Sequence, residues 1–173
     1  LTFEHCIVAT GSMPAMPDAF RLESPRVTTS TGALALETLP QRLLIVGGGV
    51  IGCEFACFLA QLNVKVTIVE ASDDILTGLD NDVRRELRRH LEKSRGIRFL
   101  TGAKVDGIET EADGVHIRSG EQSVLVDLLI DATERKPASS ALRLEKAQLE
   151  TSPEGYIPID EYGQTRIPSI YAI

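Results

Sequence analysis

The sequence has no tryptophan, and only 5% of its residues are aromatic. Little intrinsic emission therefore stands in the way of a fluorescent ligand. It has no apolar run approaching the ~20 residues that a membrane span needs, and no basic N-terminal segment leading into an apolar stretch, so no secretory signal is visible. It opens with Leu1 and not with Met, which is consistent with further sequence upstream. It also lacks a basic excess. The net charge of -7 argues against nucleic acid or an anionic membrane as the main partner. Cysteine is sparse. Cys6, Cys53 and Cys57 form an odd set without framework spacing, which excludes a disulfide scaffold and points to a reducing, cytoplasmic setting. The three histidines, His5, His90 and His116, are scattered. None stands at ligand spacing from a cysteine or carboxylate cluster, so no metal site is expected.

What is present is ordinary for a soluble globular chain: 173 residues, 43% hydrophobic and 25% charged. That length suits one domain, or one domain plus a piece of another. "CIVA" at Cys6–Ala9 reads as a short strand stopping at Gly11, and "SMPAMPDAFRLESP", with three prolines, reads as loop. "STGALALETLP" starts a short helix at Ser30 or Thr31, ended by Pro40. Arg42 to Val46 is a continuous apolar run bounded by glycine, the pattern of a strand buried on both faces. A helix follows from Gly49 to Leu62, a strand at Val64 to Val69, and a helix at Asp80 to Lys93 with Val83, Leu87 and Leu91 as its apolar stripe. "IRFLT" is a third strand. Beyond it the period falls to two: "KVDGIETE", "GVHIRSG" and "QSVLVDLLIDAT" read as an antiparallel meander ending in the strongly apolar strand "DLLIDA", and "YIPID" as one more short strand. The fold class expected is α/β, a Rossmann-like parallel sheet with helices and an antiparallel β-meander.

Gly47, Gly49 and Gly52 fit G-x-G-x-x-G between a buried strand and a helix, and Glu70 ends the next strand eighteen positions further on. Each glycine answers a separate demand. Gly47 allows the tight turn, Gly49 lets a pyrophosphate approach the backbone, and Gly52 lets helix and strand pack closely. The helix start at Gly48, Val50 and Ile51 offers N–H groups and a positive dipole end to the phosphates. Glu70 can accept the hydroxyl hydrogen bonds of an adenosine ribose and would repel a 2′-phosphate, and "EASDD" has no cation to neutralise one. NAD is therefore expected in preference to NADP.

With those residues in place, the sequence resembles the flavoprotein disulfide reductases, or pyridine nucleotide-disulfide oxidoreductases, and within them the dihydrolipoamide dehydrogenases most. The matching stretches are "IVATGSMPAMP", "STGALAL", "LPQRLLIVGGGVIGCE", "VKVTIVE", "DLLIDATERKP" and "GYIPIDEYGQTRIPSIYAI". Soluble pyridine nucleotide transhydrogenase and the mercuric and glutathione reductases share the framework. The resemblance implies an NAD-binding domain over 30–150, flanked by FAD-domain remnants at 1–29 and 151–173. It implies FAD contacts at Thr10, Gly11 and Ser12. It places Glu54 near the nicotinamide, Val105 against the adenine and Glu134 close to the bound nicotinamide half. The family reads Gly-Arg-x-Pro where this chain has Glu134-Arg135-Lys136-Pro137. A glutamate there adds bulk and negative charge near a pyrophosphate and loses access to positive φ, so weakened NAD binding is expected.

Cys53 and Cys57, four apart on one helix, read as packing residues. The family's redox disulfide is a C-x-x-x-x-C pair elsewhere in the FAD domain, and its catalytic histidine lies in an interface domain; neither has a counterpart here. "RRELRRHLEK" alternates arginine with Glu86 and Glu92 and reads as a solvated helix face. The parent enzyme would use FAD and NAD and be a homodimer. The chain alone is expected to be a monomer that binds NAD(H) and catalyses nothing, completed in the parent by the rest of the FAD domain and the interface domain. The competing reading is a freestanding, non-catalytic NAD-binding module.

Overall fold

The computed structural model of the chain describes residues 2–173. In chain order, β1 (Cys6–Val8) and β2 (Ser12–Pro14) are followed by β3 (Val27–Thr29) and the single-turn α1 (Ser30–Ala33). Then come β4 (Arg42–Val46), α2 (Val50–Gln61), β5 (Lys65–Glu70), α3 (Asn81–Arg95) and β6 (Arg98–Thr101). Three strands follow, β7 (Gly107–Glu111), β8 (Gly114–Ser119) and β9 (Gln122–Val126), and after them β10 (Leu128–Asp131), β11 (Arg135–Pro137) and β12 (Ile170–Ala172). These elements fall into two compact units, Met16–Thr133 and a second made of 2–15 with Glu134–Ile173. The sequence placed its boundaries at 29/30 and 150/151. Val27–Thr29 joins the central unit because it pairs with β10.

The central unit is built on a five-stranded parallel sheet of order β3-β10-β4-β5-β6. Its alternation explains the apolar runs read from the sequence. Leu43, Ile45, Leu128 and Ile130 face a cluster with Cys53, Ala56 and Leu59 of α2 and Leu91 of α3. Leu44, Val46 and Leu129 face a second cluster with Val115, Ile117 and Val126 of the β7-β8-β9 sheet. Both faces of β4 are thus covered, and Leu43, Leu44 and Ile45 have no exposed surface. At about 25 cal/mol per Å² of apolar area, these clusters are the main stabilising term.

The structure corrects several expectations. "QSVLVDLLIDAT" is two strands, β9 in the antiparallel sheet and β10 in the parallel one, with Asp127 at the change of sheet. Val83 of α3 is exposed, so its apolar stripe narrows to Leu87 and Leu91. Asp80 caps α3 by accepting from the Asp82 N–H, and Gly96 ends it in the left-handed conformation. In the second unit, β1 pairs with β12 in parallel, and β2 pairs antiparallel with β11, two strands that the proline content concealed. Tyr156–Asp160 forms no strand.

Asp127 fastens β10 to β4. Its carboxylate accepts the backbone N–H groups of Gln41 at 3.0 Å and Arg42 at 2.8 Å, and the Arg42 guanidinium at 2.6 Å and 3.2 Å. The Arg42 hydrogen bond, opposed by burial and aided by those backbone donors, holds the carboxyl below its ordinary value. A depressed carboxyl contributes stability that is present above its unfolded pKa and lost as pH falls through the folded one. We expect Asp127→Asn to lower unfolding free energy by about 1–2 kcal/mol near pH 7. In urea titrations the deficit should shrink towards zero as the pH falls below the ordinary aspartate range; an equal deficit in strong acid would refute the assignment.

Candidate functional site

The glycine loop leaves the C-terminal end of β4 and enters α2. Gly47 has φ +107°, a region side chains avoid, and a Cβ there would lie 2.7 Å from the Ala132 carbonyl oxygen. A Cβ on Gly52 would lie 1.9 Å from the Gly47 carbonyl oxygen, so α2 can rest on the end of β4 only with glycine at that position. A Cβ on Gly49 would meet nothing within 4 Å. The backbone is therefore packed at Gly47 and Gly52 and open at Gly49, where α2 begins. No side chain caps α2, and its first turn carries no acid, so the positive end of its dipole carries no cap from the helix's own residues.

Glu70 ends β5, the neighbour of β4. Its carboxylate accepts the Gly48 N–H at 2.6 Å and the Ser72 N–H at 2.7 Å. Burial pushes its carboxyl up, but the N–H groups of Ser72, Gly48 and Ala71 outweigh that, and the pKa falls below the ordinary value. The side chain is thus a fixed anion beside the loop, and each oxygen keeps lone-pair capacity for a further donor. The sequence did not show why Gly48 is glycine. A Cβ there would lie 2.9 Å from the Ile75 side chain and 3.1 Å from that of Glu70. Nor did it show that the Leu76 N–H donates to the Gly48 carbonyl at 2.9 Å, which ties the segment after β5 to the loop. Asp131, buried at the end of β10, accepts from the Thr133 N–H at 3.1 Å and its hydroxyl at 2.7 Å, shaping the turn against which Gly47 packs.

The other expected residues are more dispersed. Val50 and Glu54 are exposed on the first turns of α2, Ile51 is half-buried, and Val105 packs against the second core cluster. Thr10, Gly11, Ser12 and Glu134 belong to the second unit. Gly11 has φ +69° and, with Thr10, lines a cavity of about 280 Å³ there. Ser12 accepts the Arg135 Nε at 2.8 Å through its hydroxyl and Arg135 Nη2 at 2.5 Å through its carbonyl. Glu134 is exposed and lies outside the left-handed region, so the backbone itself tolerates a glutamate.

All three cysteines are free. Burial first, and the carboxylates of Glu70, Asp74 and Glu54 after it, push the Cys53 thiol up to about 11, which makes it an inert packing group. On α3, Arg85 pairs with Asp82, Arg89 with Glu86, and Arg88 with Asp74 and Glu92. The sequence reading of His116 needs correcting. The β7–β8 hairpin brings its Nε2 to 3.1 Å from Asp113 and 3.9 Å from Glu111.

Sterics separate the roles of the glycines. Gly52→Ala should cost more than about 2 kcal/mol and lower the thermal midpoint, since backbone must move. Gly49→Ala should leave the midpoint nearly unchanged. Circular-dichroism melts compare the two, and equal midpoints would contradict the packing described.

Over residues 1–173 the sequence matches the family described as Pyridine nucleotide-disulphide oxidoreductase. It is 35% identical to dihydrolipoyl dehydrogenase 2 of Haloarcula marismortui over all of this chain and 38% of that protein. Against dihydrolipoyl dehydrogenase of Bacillus subtilis it is 35% identical over 99% of this chain and 37% of the relative. Among solved structures, the HOCl-induced flavoprotein disulfide reductase RclA of Escherichia coli, determined as a Cu(II) complex, superposes with a TM-score of 0.87 at 32% identity, covering 98% of this chain and 39% of that one. The chain thus spans little more than a third of the length of these relatives. With a glycine loop and an acidic strand end on adjacent parallel strands, and with the match running its whole length, the chain belongs to the pyridine nucleotide-disulphide oxidoreductase family.

Proposed function

We propose that this chain is the NAD-binding portion of a longer FAD- and NAD-dependent oxidoreductase of the dihydrolipoamide dehydrogenase type. The observation that carries the reading is the Glu70 carboxylate held 2.6 Å from the Gly48 N–H, an anion fixed beside an open loop at the start of an uncapped helix. The residues present fit a dinucleotide. Gly49 leaves its backbone approachable, the α2 N-terminus favours phosphate, and Glu70 accepts ribose hydroxyls. When bound, the nicotinamide and flavin supply the hydride exchange, and the protein contributes binding and orientation. Thr10, Gly11 and Ser12 are the residues we assign to the flavin side. The dithiol/disulfide substrate, the catalytic histidine and the dimer contacts belong to the longer protein. The 173-residue chain by itself would be a monomer without turnover, and its free thiols fit a reducing, cytoplasmic compartment.

Fluorescence titration of the chain with NADH and NADPH tests this reading. NADH should saturate, and NADPH should bind at least about tenfold more weakly, because its 2′-phosphate meets the Glu70 carboxylate. Glu70→Gln should weaken NADH and narrow the gap between the two. Equal or better binding of NADPH by the unaltered chain would sink the assignment. Glu134→Gly restores the family's glycine and should tighten NADH; an unchanged dissociation constant would remove Glu134 from the site.

A further inference from the structure

The β7–β8 hairpin turns through Ala112 and Asp113, and its closing pair is Glu111 with Gly114. The strand register then sets Glu109 opposite His116. Because side chains alternate along a strand, Glu109, Glu111 and His116 share one face, while Ile117 and Val115 point into the core behind it. Gly114 places no side chain next to Glu111, and Glu109, Glu111 and His116 line a cleft of about 190 Å³. Arg118, the cation on this face, lays its guanidinium over Gly107.

We propose that Glu111, Asp113 and His116 form a binding site for a divalent ion of the zinc class, with Glu109 or water completing the coordination. An ion held about 2.0–2.2 Å from each donor spaces tetrahedral neighbours roughly 3.4 Å apart. The imidazole Nε2 stands 3.1 Å from the Asp113 carboxylate and 3.9 Å from that of Glu111, on either side of that value. All three donor atoms lie within 4.8 Å of one another, so a small rotation of exposed side chains closes the set. One neutral imidazole with two carboxylates selects a borderline ion over calcium or magnesium, which prefer oxygen alone. The donors come from β7, the turn and β8, so a bound ion staples the hairpin. The site involves neither the glycine loop nor Glu70, so its test and that of the nucleotide reading are independent.

The experiment is a titration of the 173-residue chain with Zn²⁺ in a thiol-free reductant, followed by histidine side-chain NMR and by thermal melting. We expect saturable binding that shifts His116 and leaves His5 and His90 in place, with a midpoint that rises with zinc. His116→Asn and Glu111→Gln, both exposed positions, should each weaken binding by at least about tenfold and abolish the rise. Unchanged zinc affinity in His116→Asn would place the ion elsewhere and overturn the site. Absence of saturable binding, or shifts at His5 or His90 instead, would overturn it as well.

Discussion

The close approach of α2 to the end of β4 is the constraint on which the rest depends. With both faces of β4 covered and a neighbouring strand on each edge, the chain can leave only through the end of the sheet. To bury Cys53, Ala56 and Leu59 against that sheet, the helix must start at once and lie almost on the Gly47 carbonyl, just past the strand. Glycine at 52 is the consequence, while Gly47 answers to its positive φ and to the Ala132 carbonyl just past the end of β10. The same turn leaves Gly49 open where α2 begins, so the packing requirement and the open loop on which the proposed function rests arise together.

Electrostatics then holds the turn in shape. Glu70 binds the loop through Gly48 and its own strand exit through Ser72, and Leu76 returns a hydrogen bond to the Gly48 carbonyl. At the opposite end of the sheet Asp127 performs a comparable service for β4 and β10. Both carboxylates are held by backbone donors as well as by position. These contacts join strands distant in sequence, which local propensity alone cannot arrange.

How much could be read in advance depended on whether the signal was local. Arg42–Val46 was legible to the residue because burial on both faces leaves a continuous apolar run. The glycine loop was legible because its spacing reflects the local contact of Gly52 with Gly47, although Gly47 and Gly48 also pack against residues far along the chain. The split of "QSVLVDLLIDAT" at Asp127 was not, since an apolar run does not say which sheet receives it. β2 and β11 escaped notice because each is a short strand that contains proline and has a partner far along the chain. "YIPID" alternates like a strand but finds no neighbour to pair with in the sheets described. His116 became informative only once the strand register was known, because the hairpin, not the spacing, brings two carboxylates to it.

The pairing of β1 with β12 joins Cys6 to Ile170, from opposite ends of the chain. Such a contact closes nearly the largest loop the sequence allows, so its ordering entropy is recovered only after the intervening chain has collapsed. Within Met16–Thr133, β4, β5 and β6 pair across single helices, while β10 returns from far along the chain to pair with β3 and β4. The topology thus sets the short closures of β4, α2, β5, α3 and β6 apart from the long ones, β10 with β3 and β4, and β1 with β12.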